Sequence, residues 1–592
     1  MLNPFHANTR WRTSVHWARR RKTVGVAAQF MKNKRSREWF QAPDYYGFGR
    51  RAWLRSEGFP ADVFDGKPVI GICNSWSELN NCNAHLRTVA EAVKRGVWAA
   101  GGVPLEFPTI SLGEMFMRPT TMMYRNLMAM DVEECIRANP LDAVVLLCGC
   151  DKTTPAQLMG AASADIPAIV VPGGPMLAGE WRGQRLGSGT DGKKLFDQYR
   201  TGRLTDDEWC EIEGCIARTA GHCTVMGTAS TMTSLAEALG MTLPGSANIP
   251  APDSRRMAIA ELSGRAVVGM IEQELKPSRI LTRAAFENAI TVLMALGGST
   301  NAVIHLIAIA GRLGIRLTLE DFDRISRCTP CIVDVKPSGQ FLMEDLFHAG
   351  GVPAVMNQIQ DLLHNGCETV NGKTIGDNIA SAIPGDESVI RPRDRALNPE
   401  GGIAVLQGNL APNGAVIKQT AASPELLRHR GRAYVFETRD EMLANIDRDD
   451  LPVTRDTVLV MRNCGPKGAP GFPEWGHIPM PRKLLNEGVT DMVRISDARM
   501  SGTSYGTVVL HVAPESAIGG PLSLVQNGDE ILLDVPDRKL ELLVDSAELA
   551  RRAAQFTPPA PHYQRGYGRL FLDHVTQADV GCDFDFLSPD YQ

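Results

Sequence analysis

Residues 146–155, LLCGCDKTTP, are the most informative stretch of this chain, because an apolar run ends there in a thiol, a carboxylate and an amine. The run Ala143 to Leu147 is too short and too rich in β-branched residues for a helix, so it predicts a buried strand. Ligands in open α/β sheets bind beyond the carboxyl ends of strands, where Cys150, Asp151 and Lys152 would emerge. This predicts chemistry at the strand end, although a buried thiol beside a surface ion pair fits the same residues.

Strand-like and helix-like segments alternate on both sides of this stretch. Strands are predicted at 69–73, 103–107, 143–147 and 167–171, with helices at 84–100, 121–138 and 156–164. Such alternation predicts a parallel sheet covered by helices on both faces. From about 205 to 313 the periodicity is mostly helical. We therefore expect an N-terminal α/β domain with many helices over residues 31–385.

The composition becomes turn-rich and charged near residues 370–400, and short strand-like runs follow. They lie at 403–406, 457–461, 507–511 and 530–535, separated by glycine and proline. Short strands bounded by such turns predict a β-rich domain. We expect a C-terminal, barrel-like α/β domain over residues 386–592, so the fold class is α/β with two domains.

The overall composition is that of an ordinary globular protein, with 44% hydrophobic and 22% charged residues among 592. No apolar run reaches the roughly 18 residues that span a bilayer, so a membrane partner is not expected. Residues 1–30 carry six basic and no acidic side chains. The remainder is therefore net acidic, and nucleic-acid binding is not expected. We expect residues 1–30 to be a disordered extension before a natural start at Met31; a targeting peptide or a polyanion-binding arm also fits.

Thirteen cysteines, an odd number scattered along the chain, predict a reducing, cytoplasmic environment. Cys82 and Cys223 each precede a predicted helix, where helix N-termini lower the pKa of thiols. Together with Cys150 they are too widely spaced for a local zinc or ferredoxin motif. If the fold gathers them, three thiolates would hold an iron–sulfur cluster with one open iron, which can act as a Lewis acid.

Three carboxylates are candidates for a hard cation, namely Glu114, Asp151 and Glu474. Carboxylates with few nitrogen or sulfur neighbours suit Mg²⁺, although each alone also fits a solvated surface acid. Ser501, next to Gly502 in a turn rich in hydroxyl groups, is a candidate nucleophile or base. Ser501 does not stand at the centre of a Gly-x-Ser-x-Gly motif, which disfavours a hydrolase triad built on it. A serine base would need a metal to lower its pKa.

Other polar features have structural interpretations. Cys328 and Cys331 form a CxxC pair, but it follows a predicted helix instead of opening one, which disfavours a redox role. Cys148 is predicted to lie in the core, and His305 to be a buried histidine with satisfied hydrogen bonds. The turn at residues 297–301, GGSTN, could donate backbone N–H groups to a carboxylate.

Four motifs together resemble the dihydroxyacid dehydratase and phosphogluconate dehydratase family. They are 150–155 (CDKTTP), 297–302 (GGSTNA), 408–412 (GNLAP) and 496–502 (SDARMSG). The likeness covers roughly residues 36–587. Two further segments, 118–126 (RPTTMMYRN) and 253–256 (DSRR), resemble the aldonic-acid branch, especially pentonate dehydratases of the L-arabinonate type. Branched-chain dihydroxyacid dehydratases differ at 118–126, which counts against a purely biosynthetic role.

The resemblance implies both cofactors and ligands. It implies a 2Fe-2S cluster, with 4Fe-4S as the second choice, on Cys82, Cys150 and Cys223. It also implies Mg²⁺ bound by Glu114, Asp151, Glu474 and a carbamylated Lys152. Ser501 would be the base, with Thr503 beside it in the substrate pocket, and the enzyme would be a homodimer or homotetramer.

The implied activity is that of a hydro-lyase acting on a small molecule. It would convert an aldonic acid such as L-arabinonate into the 2-keto-3-deoxy acid by removing the C2 proton and the C3 hydroxyl. A broad dihydroxyacid dehydratase acting on dihydroxyisovalerate or glycerate is the alternative. A non-catalytic iron–sulfur redox or sensor protein and a zinc hydrolase are alternatives from other classes. Substrate length and stereochemistry depend on pocket shape, which motifs do not specify.

Overall fold

The structure is a computed structural model that describes residues 34–589. The expectation for residues 1–30 lies outside the described residues. Its α-helices are α1 (Arg35–Phe40), α2 (Tyr45–Ser56), α3 (Leu86–Ala99), α4 (Arg125–Ala138), α5 (Thr153–Ala164), α6 (Thr190–Arg200), α7 (Asp206–Cys215), α8 (Thr228–Ala238), α9 (Ser254–Gln273), α10 (Pro277–Ile280), α11 (Arg283–Leu296), α12 (Asn301–Gly311), α13 (Leu319–Cys328), α14 (Met343–His348), α15 (Gly351–Gln358), α16 (Ile375–Ile379), α17 (Arg439–Asn445), α18 (Arg482–Asn486), α19 (Ser546–Ala553) and α20 (Gly566–His574). Its strands are β1 (Val69–Asn74), β2 (Val103–Pro108), β3 (Ala143–Cys148), β4 (Ala168–Pro172), β5 (Gly179–Trp181), β6 (Gln184–Leu186), β7 (Ala404–Gly408), β8 (Ala411–Ile417), β9 (Arg428–Phe436), β10 (Val458–Met461), β11 (Arg494–Ser496), β12 (Val508–Ala513), β13 (Glu530–Asp534) and β14 (Lys539–Leu542).

The N-terminal sheet has four parallel strands in the order β2-β1-β3-β4. Every residue of β1, β3 and β4 is buried. Strands of a parallel sheet covered by helices are buried on both faces, which explains why they read as continuous apolar runs. The predicted strands and the parallel sheet are therefore confirmed.

Helices α3 and α9 cover the sheet in close backbone contact. A Cβ atom at Gly96 would collide with the carbonyl oxygen of Glu261, and one at Gly264 would collide with the carbonyl oxygen of Val93. Glycine at both positions lets the two helices approach each other beside β3. This packing holds the sheet whose strand ends carry the candidate site.

The C-terminal region contains a closed barrel of eight strands in the order β10-β11-β12-β8-β7-β14-β13-β9. Parallel and antiparallel pairs both occur, as in β10 with β11 and β7 with β8. Aliphatic side chains such as Leu406, Val460 and Val509 form one buried cluster. The predicted barrel-like α/β region is confirmed, although four of its strands, β8, β9, β11 and β14, have no counterpart among the predicted runs.

Within residues 34–589, no helix combines the length and the apolar character that crossing a membrane requires.

Candidate active site

The site forms where the loops after β1, β3 and β4 meet the barrel. Gly149 brings the first two loops together, since a Cβ there would lie 2.7 Å from Asn83 Oδ1 and 2.9 Å from the carbonyl oxygen of Cys82. Next to the end of β4, Pro175 pairs with His222 in an isolated parallel bridge. The fold thus gathers the thiols of Cys82, on the loop after β1, Cys150, on the loop after β3, and Cys223, on the segment before α8.

The three thiols predicted to hold a cluster, those of Cys82, Cys150 and Cys223, are free and interact with one another. A hydrogen bond with Cys150, followed by burial, raises the pKa of Cys82, and the charge of Cys223 adds to the effect. Burial, Asp151 and Cys150 raise the pKa of Cys223 to about 12. Thiols that disfavour one another's ionisation become stable thiolates only with a cationic group between them. The donor set therefore fits an iron–sulfur cluster.

The predicted hard ligands converge beside the thiols. Glu114, Asp151 and Glu474 each present an oxygen within 4.8 Å of the others. Lys152 is fully buried among them, with Nζ 3.2 Å from Glu114 Oε2, 3.5 Å from Asp151 Oδ2 and 3.1 Å from Glu474 Oε1. An ammonium group thus stands against three carboxylates whose oxygens suit Mg²⁺.

The charges of this cluster are strongly coupled. Burial raises the pKa of Asp151 to about 6 against the opposing effect of Lys152. Burial acts in the same direction on Glu474, but Lys152 and Arg499 outweigh it and lower the pKa of Glu474 to about 2. Burial and Arg499 lower the pKa of Lys152, yet the carboxylates raise it overall.

Glu474 is oriented by two side chains that the sequence interpretation did not assign to the site. Arg499 Nη1 donates to Glu474 Oε1 over 2.9 Å, and Asn301 Nδ2 donates to the same oxygen over 3.2 Å. Arg499 is fully buried and its Nε also donates to the carbonyl oxygen of Phe472 over 2.6 Å. Both residues lie inside the recognised motifs, but motif spacing does not indicate which side chain they contact. The predicted binding of a carboxylate by backbone N–H groups of the 297–301 turn stays a prediction, while the Asn301 side chain binds Glu474.

Glu114 is held by two hydroxyl groups from the 118–126 segment. Thr120 Oγ1 donates to Glu114 Oε1 over 3.0 Å, and Thr121 Oγ1 donates to Glu114 Oε2. The segment that resembles the aldonic-acid branch thus contacts a candidate metal ligand.

Ser501 and Thr503 lie on a loop of the barrel that is packed against the first region. Their hydroxyl oxygens are 3.0 Å apart. A Cβ at Gly502 would lie 2.6 Å from the backbone nitrogen of Thr228 and 2.7 Å from Ser299 Oγ, so glycine is needed for this approach. Lys193 Nζ, on α6, donates to Thr503 Oγ1 over 2.9 Å. The sequence interpretation missed Lys193 because α6 itself was not predicted.

Lys193 also connects the parts of the site electrostatically. Its ammonium interacts with the charges of Glu474, Asp151 and Cys223. The residues predicted as cluster ligands, metal ligands and base thus lie in one neighbourhood.

The remaining polar predictions fall outside this group. Cys148 is buried in the core and accepts a hydrogen bond from Thr154 Oγ1. Of the CxxC pair, Cys328 is exposed, Cys331 is buried and both thiols are free. His305 is buried with Nδ1 3.2 Å from Arg125 Nη1, but its Nε2 has no partner within residues 34–589, so its hydrogen bonds are only half satisfied.

Two models of one known protein family match the two regions of the chain. The N-terminal model of the dihydroxy-acid/6-phosphogluconate dehydratases matches residues 67–378, and the C-terminal model matches residues 388–582. The chain therefore belongs to the dihydroxy-acid/6-phosphogluconate dehydratase family and is an enzyme of the hydro-lyase class.

Individual relatives are similar over nearly their whole length. An L-arabinonate dehydratase of Rhizobium leguminosarum bv. trifolii is 54% identical over 562 residues, covering 95% of this chain and 97% of that protein. An L-arabonate dehydratase of Azospirillum brasilense is 56% identical over 562 residues, covering 93% and 96%. A 6-deoxy-6-sulfo-D-gluconate dehydratase of Pseudomonas putida is 50% identical over 556 residues, also covering 93% and 96%.

Proposed function

We propose that the protein dehydrates a sugar acid of the L-arabinonate type to the 2-keto-3-deoxy acid. The observation that carries this proposal is the meeting of three kinds of group in one site: thiols, carboxylates around Lys152, and the hydroxyl pair of Ser501 and Thr503. Relatives named for L-arabinonate at 54% and 56% identity support the substrate class.

Two groups of residues would hold cofactors. Cys82, Cys150 and Cys223 would hold a 2Fe-2S cluster, and the three carboxylates with a carbamylated Lys152 would hold Mg²⁺. When bound, the cations supply Lewis acidity to the leaving hydroxyl and stabilise the negative charge that develops on the substrate. A soft thiol set next to a hard oxygen set supports this division of ligands.

The residues of the chain would perform the proton transfer. Ser501, as an alkoxide, would take the proton from C2 while the C3 hydroxyl leaves, and this proton would pass to the departing hydroxide, so that water is released. The resulting enol becomes the keto acid by gaining a proton at C3 and losing the proton of its C2 hydroxyl group. Thr503, 3.0 Å from Ser501 Oγ, holds the base in place. Arg499 and Asn301 fix Glu474 through hydrogen bonds to its Oε1.

Both regions of the chain would be required for activity. Lys152 and Glu114 come from the first region, whereas Glu474 and Ser501 come from the second. We accordingly propose the division into residues 31–385 and 386–592 as two domains of one catalytic unit. We also propose that the protein is cytoplasmic and forms a homodimer or homotetramer. Exposed aromatic residues on α2, such as Tyr45 and Trp53, support an interface between copies. Light scattering of the purified protein tests the oligomeric state.

The test of the proposed base is Ser501→Ala in anaerobically reconstituted protein supplied with Mg²⁺ and L-arabinonate. We expect kcat to fall by about 100- to 10,000-fold, the range for loss of a general base, while the visible spectrum of the cluster stays unchanged. Cys150→Ser should instead bleach that spectrum.

The matched control is Ser504→Ala in the same loop. Ser504 is buried, and its Oγ has no hydrogen-bond partner among the described residues. Its loss should leave turnover nearly unchanged. An equal loss of kcat in both variants would show that any substitution in this loop disturbs the site. Full activity of Ser501→Ala would refute the role of Ser501 as the base.

A further inference from the structure

The first turn of α6 is built against Thr503 at three points. Thr190 Oγ1 donates to the carbonyl oxygen of Thr503 over 2.7 Å, and Lys193 Nζ donates to Thr503 Oγ1 over 2.9 Å. A Cβ at Gly189 would lie 2.5 Å from Thr503 Oγ1, so the helix approaches without a side chain there. The backbone and the hydroxyl of Thr503 are therefore both held from outside the barrel.

The chemistry of these groups fixes the direction of the hydrogen bonds. A lysine ammonium has three donors and no acceptor, so Thr503 Oγ1 must accept from Lys193. The hydroxyl proton of Thr503 then remains free to be donated, and Ser501 Oγ is 3.0 Å away. The backbone N–H of Thr503 also points to Ser501 Oγ, over 3.4 Å. Ser501 Oγ thus faces two donors of Thr503, which favours its role as a proton acceptor.

We propose that Lys193 is a positioning residue that orients Thr503 as a donor to Ser501 and so keeps Ser501 Oγ ready to accept a proton. This inference rests on the proposed function, because it assigns Lys193 a part in proton transfer by Ser501. Lys193 acts through Thr503 and not through the substrate. A lysine that bound the substrate carboxylate directly would instead contribute to substrate affinity.

A double-mutant cycle separates these two roles. Lys193→Met and Thr503→Val should each lower kcat by about 10- to 100-fold, the effect of losing one hydrogen bond with a charged partner, with little change in KM. The double variant should be no slower than the slower single variant, because both substitutions interrupt the same series of hydrogen bonds from Lys193 through Thr503 to Ser501. Lys193→Arg and Thr503→Ser keep a donor and a hydroxyl, and should recover part of the activity.

Lys194→Met is the matched control. Lys194 is exposed beside Lys193, and its Nζ lies 5.1 Å from the ring centre of Tyr505. Its removal should leave kcat within about twofold. Multiplicative losses in the double variant, or a raised KM with unchanged kcat in Lys193→Met, would overturn the proposal.

A crystal structure of Lys193→Met tests the positioning without any turnover. The proposal predicts that the contact between Thr503 Oγ1 and Ser501 Oγ is lost or that the Thr503 side chain rotates. An unchanged contact would refute it. Failure of the proposed function is distinguishable, because wild-type protein would then be inactive with every sugar acid while the crystallographic result still stands.

Discussion

At the residue scale, the most unusual feature of the site is the environment of Lys152. It is fully buried, and three carboxylates surround its ammonium group at 3.1–3.5 Å. A buried cluster of this kind is costly to assemble and gives a folded protein little net stability. This charge arrangement therefore supports the proposed cation site.

Lys152→Met should destabilise the metal-free protein by about 3–5 kcal/mol, because the carboxylates lose their buried counter-charge. Mg²⁺ should then raise the unfolding midpoint of the variant by replacing that charge. Thermal unfolding with and without Mg²⁺ measures both effects.

The matched control is Lys94→Met, which removes a more exposed ion pair with Glu91 and Glu106. It should cost no more than about 1 kcal/mol and leave the response to Mg²⁺ equal to that of the wild type. A Lys152→Met protein as stable as the wild type would contradict the charge argument.

The sequence motifs allowed the residues of the candidate site to be predicted, but not the contacts between their side chains. The thiols, the carboxylates and Ser501 were candidates from their residue types at predicted loop ends, whereas the ligand sets and the role of Lys152 came only from the resemblance of four motifs. Arg499 and Asn301 lie in the same motifs, but their shared contact with Glu474 depends on how the barrel docks. Lys193 is distant from Ser501 in sequence, and nothing in its own segment indicates a site.

At the scale of elements, continuous apolar strands were predictable, whereas polar or very short strands were not. The strand β3 is apolar throughout, whereas β9 begins with Arg428-His429-Arg430 and exposes much of that end. Pairing with β10 and β13 makes β9 a strand despite its composition, since strand formation depends strongly on neighbours. Helix α6 was missed for a related reason, because only Thr190 and Leu195 are buried in it.

The close contact between α3 and α9 predicts that two Gly→Ala substitutions on α9 change the free energy of unfolding in opposite directions. Gly264→Ala would push a methyl group into the carbonyl oxygen of Val93 and should destabilise the protein by about 1–3 kcal/mol. Gly269→Ala meets only Gln273 Nε2, at 3.9 Å, and should stabilise it by about 0.5–1 kcal/mol. Urea unfolding of both variants measures the difference. Similar effects at the two positions would contradict the close approach.

At the scale of the whole molecule, the first region and the barrel region meet at buried polar groups, as where Arg499 Nη2 donates to Thr120 Oγ1 over 3.2 Å. His511, on β12, is buried against Phe472, with ring centres 5.4 Å apart. Burial, together with Arg499, lowers the pKa of His511 to about 3. An unfolded histidine titrates near pH 6.5. Between these values the unfolded chain binds the extra proton, so stability is full above about pH 6.5 and is lost as the pH falls towards 3.

His511→Gln should remove the one proton that the unfolded chain binds at this position, and with it part of the pH dependence of stability. The slope of the unfolding free energy between about pH 4 and pH 6 should decrease by about 1.4 kcal/mol per pH unit, even if the variant is less stable at pH 8. Denaturant unfolding across this pH range provides the measurement. A slope equal to that of the wild type would show that His511 does not remain neutral in the folded protein.

The most direct test of the account is the reaction of L-arabinonate with anaerobically reconstituted protein and Mg²⁺ in D₂O, followed by mass spectrometry. Dehydration predicts a 2-keto-3-deoxy acid that is one water lighter than the substrate and carries solvent deuterium at C3. A product that keeps all its oxygens, or no product from any aldonic acid, would contradict the assignment of a sugar-acid dehydratase.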